Sequence, residues 1–417
     1  MHRSVRAMEK LISCLGLLAM MGLAWLMSAD RKQVPWRTIV GGLALQFAFA
    51  FLTLGTVAGR DLFAWLGNLF TALLGFVDEG SLFVFGIPQA DGTVDRRLLA
   101  TFAFGVLPSI VFFSSLVSVL YHFNIMQRVV SLTARLMQKT LNLSGAESLS
   151  VAANIFLGQV EAPLVVRPYL NSMTRSELMA VMMAGFATVA GGVLAAYVQM
   201  GIDAGHLVTA SVIAAPASIV IAKIMQPEVE QPQTRGRVVL EVETGTINAI
   251  EAAATGALAG LKLAMQVAGI IIAFLAMIAM LKFAVAWTLG MFGFQITLED
   301  LLGILFAPFA WIMGIEAADC RKAGELLGLR MISNEFIAFK GLADMIKSPG
   351  ALSPRSEILL TYALCGFANF GSIGVQLGGI GGVAPDRQTD LARLGLRAML
   401  GGTLACFMTA CVAGVLL

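Results

Sequence analysis

Two acidic side chains, Glu161 and Glu335, lie inside otherwise apolar sequence, and each precedes a second apolar stretch broken at a Gly-Phe-Ala string. In residues 144–194 the run Gly158-Gln159-Val160-Glu161-Ala162-Pro163 is followed by Arg175-Ser176-Glu177-Leu178 and then Gly185-Phe186-Ala187-Thr188. In residues 317–376 the order repeats as Ser333-Asn334-Glu335-Phe336, Arg355-Ser356-Glu357-Ile358 and Gly366-Phe367-Ala368-Asn369. A carboxylate accepts hydrogen bonds, whereas an amide or a hydroxyl both donates and accepts. Glu335 with Asn369 and Ser372 therefore suits vicinal hydroxyls, and Gln159 offers the donor–acceptor pair that reads an amide or nucleobase edge. Phe367 could pack on a flat ring, although a lone Phe is more often plain core.

Positioning such groups requires broken helices. Ser144 to Tyr169 is an apolar run of 26 residues, with Gly158 and Pro163 interrupting its middle. Two breakers flanking Gln159 and Glu161 predict a turn between half-helices, a re-entrant hairpin tolerated in a membrane only where it is buried in protein or lines a cavity. Pro163 suits the first turn of the returning half, where its missing N–H costs nothing. Free backbone groups at half-helix ends are ready sites for ions or polar solutes. The Asn154 amide oxygen with carbonyls near Leu157 could hold a small cation, and Thr188 adds a hydroxyl. A charge at the bilayer centre costs about 2.5–3.5 kcal/mol on insertion scales. Glu161 and Glu335 must then face a watery cavity or a partner, the plainer alternatives being Arg167 and Arg330.

The whole chain is of membrane type. Its 417 residues are 58% hydrophobic and 13% charged, with a mean hydropathy of +0.83, against about 25% charged in a soluble domain. Segments of about 20 apolar residues, enough to cross the hydrocarbon core, lie near 11–28, 38–58, 101–121, 178–200, 207–224, 262–288, 357–383 and 395–417. Five scattered cysteines and three distant histidines show no metal spacing, so neither a disulfide nor a metal centre is expected. The net charge of +2 gives no reason to expect a nucleic-acid partner.

The first apolar run is longer than a signal-peptide core, which favours a retained helix. Residues 60–97, interrupted at Gly67-Asn68 and ending in charges, predict a helix lying in the membrane plane rather than another crossing. Residues 124–143 predict an interfacial or connecting helix, with Arg128, Arg135 and Lys139 set apart from a stripe of Val129, Val130, Leu132, Leu136 and Met137. Residues 225–250, the most polar stretch, predict an exposed loop. Basic residues flank both ends of the first helix, so the positive-inside rule does not choose an orientation.

The strings NIFLGQVEAPLVVRPY (154–169), GFATVAGGVLAAY (185–197), SNEFIAF (333–339) and LCGFANFGSIG (364–374) resemble signatures of the concentrative nucleoside transporters, and the likeness extends over nearly the whole chain. That resemblance implies an all-α polytopic protein of the cell inner membrane. It implies a homotrimer with eight transmembrane helices per protomer, two re-entrant helical hairpins, an interfacial helix and an inverted repeat, with both termini periplasmic. It divides the chain into a scaffold part (1–143), a first transport part (144–225), a loop and sixth scaffold helix (226–316) and a second transport part (317–417). The transport half would move as an elevator driven by an ion gradient, carrying nucleosides into the cell.

By the same resemblance Gln159, Val160 and Glu161 form the base-contacting tip, with Val193 and Phe367 as apolar neighbours. Glu335, Asn369 and Ser372 would hold the ribose hydroxyls. Asn154, Thr188 and the carbonyls of Leu157 and Val189 would bind Na+ as the coupling ion, with no other cofactor. Family members usually carry Thr where this chain has Val160, which predicts an altered base preference; Thr188 replaces the Ser of sodium-coupled relatives and keeps an oxygen. Proton coupling of the same substrate is the nearest alternative. A dicarboxylate carrier would want cationic, Ser-rich tips, and an intramembrane enzyme would want a His–Asp pair, a Ser–Lys dyad or a metal cluster. The expectation is a transporter, not an enzyme.

Overall fold

Apolar length and the placement of helix caps account for most of the architecture. The computed structural model describes residues 2–88, 94–95, 97–235, 246–291 and 297–417. The first part contains α1 (His2–Leu26), α2 (Trp36–Ala50), α3 (Val57–Phe85), a two-residue antiparallel pairing of β1 (Ile87–Pro88) with β2 (Val94–Asp95), α4 (Leu107–His122) and α5 (Ile125–Leu141). The next contains α6 (Gly145–Asn154), the single turn α7 (Glu161–Leu164), α8 (Arg175–Ala187), α9 (Gly191–Met200) and α10 (Ala204–Met225). After α11 (Ala249–Gly290) and α12 (Leu298–Ile312) come α13 (Cys320–Ile332), α14 (Glu335–Ile346), α15 (Pro354–Leu364), α16 (Phe370–Val383) and α17 (Gln388–Leu416).

Eight helical stretches among the described residues are long and apolar enough to cross a bilayer, but they are not the eight read from the sequence. Trp65–Phe85 joins them: Gly67 and Asn68 do not interrupt α3, which runs unbroken for 29 residues. Conversely, 357–383 is not one continuous helix, because it divides into α15 and α16 at residues 365–369. The outer face of α5 also differs from expectation. Met126, Val130, Ala134, Met137 and Leu141 form its buried stripe, while Val129, Leu132 and Leu136 are exposed beside Arg128 and Arg135. A face mixing arginines with branched apolar side chains still fits a membrane interface. Of the polar 225–250 stretch, residues 236–245 lie outside the described residues, as do Asp91 and Arg96 of the earlier loop.

The core sits around α8, α9, α10 and α17. In the apolar windows covering α8–α9 and α10, 89% of residues are buried, and in that of α17, 83%; in α11 the share is 6%. Helix α11, 42 residues and so about 63 Å long, packs against α4 through Gly256 and Gly260. A Cβ at either glycine would collide with Ser118 or Ser114.

The two Arg-Ser-Glu strings start helices. Thr174 caps α8 in a reciprocal box with Glu177, and Ser353 caps α15 through the Ser356 amide. Around the first start a buried charge cluster forms. Lys223 Nζ, near the end of α10, lies 2.6 Å from Glu147 Oε2 in α6 and donates to Ser176 Oγ at 2.9 Å. Ser144 Oγ in turn donates to Glu177 Oε1 at 2.5 Å. One ammonium thus ties the beginnings of α6 and α8 to the end of α10. Removing one partner of a buried pair typically costs about 3–5 kcal/mol. Lys223→Met is therefore expected to lower the melting temperature of the detergent-purified protein clearly; an unchanged melting curve would show that the cluster carries no such weight.

Candidate functional site

The four interruptions read in the two repeated stretches are real breaks between helices, unlike the one at Gly67-Asn68. The first segment bends at residues 155–160 between α6 and α7, the second at Thr188-Val189-Ala190, the third at Ser333-Asn334 and the fourth at residues 365–369. The two Gly-Phe-Ala strings are not equivalent in place. Gly185-Phe186-Ala187 ends α8 just before its break, whereas Gly366-Phe367-Ala368 lies inside the break after α15.

Both carboxylates occupy the first position of the helix that follows their break. Glu335 opens α14 behind Asn334, whose side chain caps the helix by accepting from the Ile337 amide at 3.0 Å. Glu161 opens the single turn α7, and Gly158 leaves room for its carboxylate, since a Cβ there would strike Glu161 Oε2. A helix N-terminus carries partial positive charge, which favours both placements.

Glu335 is 3% exposed, and both of its oxygens accept hydrogen bonds. Asn369 Nδ2 donates to Oε2 at 2.9 Å, and the Tyr197 hydroxyl donates to Oε1 at 3.3 Å. Asn369 does double duty: its Oδ1 accepts from the Ser372 amide at 2.9 Å and caps α16. Tyr197 is held by stacking on Phe339, with ring centroids 4.3 Å apart. Across the site Gln159 Nε2 donates to Ser372 Oγ at 3.2 Å, and Gln376 Nε2 donates to Gln159 Oε1 at 3.2 Å and to the Met182 carbonyl at 3.0 Å. The first break at Gln159, the fourth at Asn369 and the start of α14 thereby meet in one buried polar network.

The alternative pairings of the carboxylates are not formed among the described residues. Arg330, 1% exposed, spends its guanidinium on the Ala363 and Gly366 carbonyls (2.5 and 3.3 Å) and on Cys406 Sγ (3.2 Å), not on Glu335 within ion-pair distance. Glu161 is exposed and makes no ion pair with Arg167. Val160 is half-buried against Gly379 of α16, where a Cβ would meet both of its methyl groups. Val193 is buried in α9, and Phe367 is 9% exposed in the fourth break.

The first two breaks lie against each other. The Gly191 amide donates to the Phe156 carbonyl at 3.0 Å, and a Cβ on Gly158 would reach Ala190 at 3.5 Å. Several oxygens here lack partners. Asn154 Oδ1 is buried and unpaired while its Nδ2 is committed to the Ser150 carbonyl at 3.1 Å. Neither the Leu157 nor the Val189 carbonyl accepts a backbone hydrogen bond among the described residues. The Thr188 hydroxyl donates back to Ala184 at 2.9 Å, which leaves its lone pairs available. Uncommitted oxygens without a compensating donor are what a small hard cation needs.

Comparison with known proteins places these features in a family. Three family models cover the chain in order: the N-terminus of Na+ dependent nucleoside transporters over residues 15–87, nucleoside recognition (Gate) over 103–204, and the C-terminus of Na+ dependent nucleoside transporters over 206–414. The chain is 42% identical to an uncharacterized transporter of Haemophilus influenzae, covering 98% of both, and 40% identical to the transporter YutK of Bacillus subtilis, covering 98% of this chain and all of that one. The chain belongs to the concentrative nucleoside transporter family.

It is also 41% identical to solute carrier family 28 member 3 of Eptatretus stoutii, over 99% of this chain but only 61% of that longer protein. The solved structure of the transporter CNTnw in an inward-facing substrate-bound state superimposes with a TM-score of 0.90 at 40% identity, covering 97% of each chain. A doubly substituted CNTnw in an outward-facing state reaches 0.92. These relatives are transporters, not enzymes.

Against this family member's geometry, sequence reasoning missed three residues. Tyr197 ends the quoted GFATVAGGVLAAY string, but nothing local marks it as a partner for Glu335. Arg330 reads from the sequence only as a counter-ion, whereas its acceptors lie 33 to 76 residues away. Gln376 was findable: with Asn369 and Ser372 it repeats at three and then four residues, one helical face.

Proposed function

We propose that this chain is a sodium-coupled nucleoside symporter of the cell inner membrane, importing its substrate by an elevator-type movement. The buried network joining Glu335, Asn369 and Ser372 to Gln159 carries the reading, because it gathers hydroxyl-binding and edge-reading groups at the ends of broken helices. Glu335, Asn369 and Ser372 hold the ribose hydroxyls. Gln159 and Glu161 take the base, flanked by Val160, Val193 and Phe367. Asn154, Thr188 and the carbonyls of Leu157 and Val189 coordinate sodium, an assignment supported by the unpaired Asn154 oxygen. Re-entrant hairpins at 144–172 and 317–347 belong to the moving half (144–225 and 317–417), and residues 1–143 with α11 belong to a fixed scaffold. The long exposed face of α11, with Leu258, Met265, Ile272 and Phe283, is available to lipid and to neighbouring protomers of a homotrimer.

The test is radiolabelled uridine uptake into vesicles holding the purified protein. An inward sodium gradient should drive accumulation, and replacing sodium by choline at fixed pH should abolish it. Persistence of uptake in choline, driven instead by a proton gradient, would reject sodium coupling. Glu335→Gln keeps the shape but loses the charge that two donors and the ribose would share. Charge-assisted hydrogen bonds are worth about 1.5–3 kcal/mol, so uptake efficiency should fall at least about tenfold; wild-type uptake would refute the ribose role.

Val160→Thr tests base preference. The new hydroxyl fits the volume that one methyl now fills beside Gly379 and restores a donor–acceptor at the tip. Competition of uridine uptake by a panel of nucleosides should change its ranking, and identical rankings would show that position 160 does not read the base.

A further inference from the structure

We infer that Gln376 is a positioning residue that fixes the hydrogen-bond polarity of the binding site, and through it makes the Ser372 hydroxyl a donor to the substrate. The inference rests on the proposed ribose role of Ser372. It begins at a group whose polarity is not adjustable. The Met182 carbonyl can only accept, so the end of the Gln376 amide 3.0 Å away must be its nitrogen. That same nitrogen lies 3.2 Å from the Gln159 side chain, which must therefore present its oxygen. The Gln159 nitrogen then faces Ser372 Oγ at 3.2 Å and donates to it.

With its oxygen already accepting from Gln159, Ser372 has its hydroxyl proton left over, and it meets no acceptor among the described residues. A ribose oxygen is the acceptor of the right chemistry. Side-chain amides ordinarily flip to suit their surroundings, so an unanchored Gln159 could present either end. Gln376 removes that freedom. It is fully buried, and its own oxygen has no partner, so it is kept for the two bonds its nitrogen makes rather than for satisfying itself.

Gln376→Glu reverses the relay. A carboxylate there has no N–H for Met182 or Gln159, so Gln159 turns its nitrogen toward it and its oxygen toward Ser372, which then donates to Gln159 instead of to substrate. Gln376→Met removes the anchor without reversing it. The measurement is sodium-driven uptake of uridine, 2′-deoxyuridine and 3′-deoxyuridine in vesicles, with Ser372→Ala run alongside to show which hydroxyl that residue serves. In both Gln376 variants KM for uridine should rise by about tenfold, the worth of one buried hydrogen bond, and more than maximal velocity falls. The preference for uridine over the relevant deoxy analogue should collapse with it.

A variant that takes up all three nucleosides less well with its preference intact would mean that Gln376 only supports packing, and the inference would be overturned. Should neither variant fold, Gln159→Glu reads the same polarity, because it keeps the acceptor facing Gln376 and removes the donor facing Ser372. Unchanged hydroxyl preference there would also overturn it. If Ser372→Ala itself leaves every preference intact, the ribose assignment fails instead, and that result is separable from the others.

Discussion

Backbone polar groups that lose their helical partners in a membrane must find new ones inside the protein, and this requirement organises the candidate site. Every break creates unpaired N–H groups at the start of one helix and unpaired carbonyls at the end of another. The chain answers the first need with side chains that also do chemistry. Asn369 caps α16 with its oxygen and steadies Glu335 with its nitrogen. Asn334 caps α14, and Glu335 occupies the position immediately after it. In the proposed site capping and recognition therefore share residues, because Asn369 serves both with opposite ends of one amide.

The same constraint explains why the two carboxylates are treated differently. Glu335 is buried, so its charge requires the Tyr197 and Asn369 donors, the N-terminal end of α14 and the nearby Arg330. A buried charge lacking such partners would be driven neutral or would destabilise the fold. Glu161 is exposed, stays hydrated and needs only the space that Gly158 leaves. Arg330 completes the balance from the opposite side by binding the carbonyls left open at the end of α15.

Much of this was legible because breaks in apolar sequence have few meanings. Gly158 with Pro163, the polar Ser333-Asn334 before Glu335, and the polar residues after each Gly-Phe-Ala string located all four interruptions. What escaped was of two kinds. Gly67 and Asn68 read as a break but are absorbed by a continuous helix, since two weak helix formers cost little within a long run of Leu and Phe. In α5 the apolar pattern misplaces the buried stripe, because Val129, Leu132 and Leu136 are apolar yet face outward, and in a membrane protein the outside is apolar too. Tyr197 and Arg330 were invisible for another reason. Their partners are far away in sequence, and no local pattern encodes a long-range hydrogen bond.

Thr188 and Asn369 each follow a Gly-Phe-Ala string and are proposed for two different uses; the helix ends beside them give the physical basis. Thr188 stands at the C-terminal end of α8, and Asn154 and Leu157 stand at the C-terminal end of α6. Those ends carry partial negative charge and carbonyls without partners, which suit a cation. Asn369 and Glu335 stand at the N-terminal ends of α16 and α14, where amide donors hold a side chain that accepts from hydroxyls. In the proposed mechanism sodium and substrate therefore divide the site by helix polarity before any side chain is chosen. The break opens at Thr188, after Gly-Phe-Ala, in the first copy and at Cys365, ahead of it, in the second, and that shift exchanges one kind of helix end for the other. The second copy could not take the ion role by substituting Asn369 alone, because its backbone there presents donors rather than carbonyls.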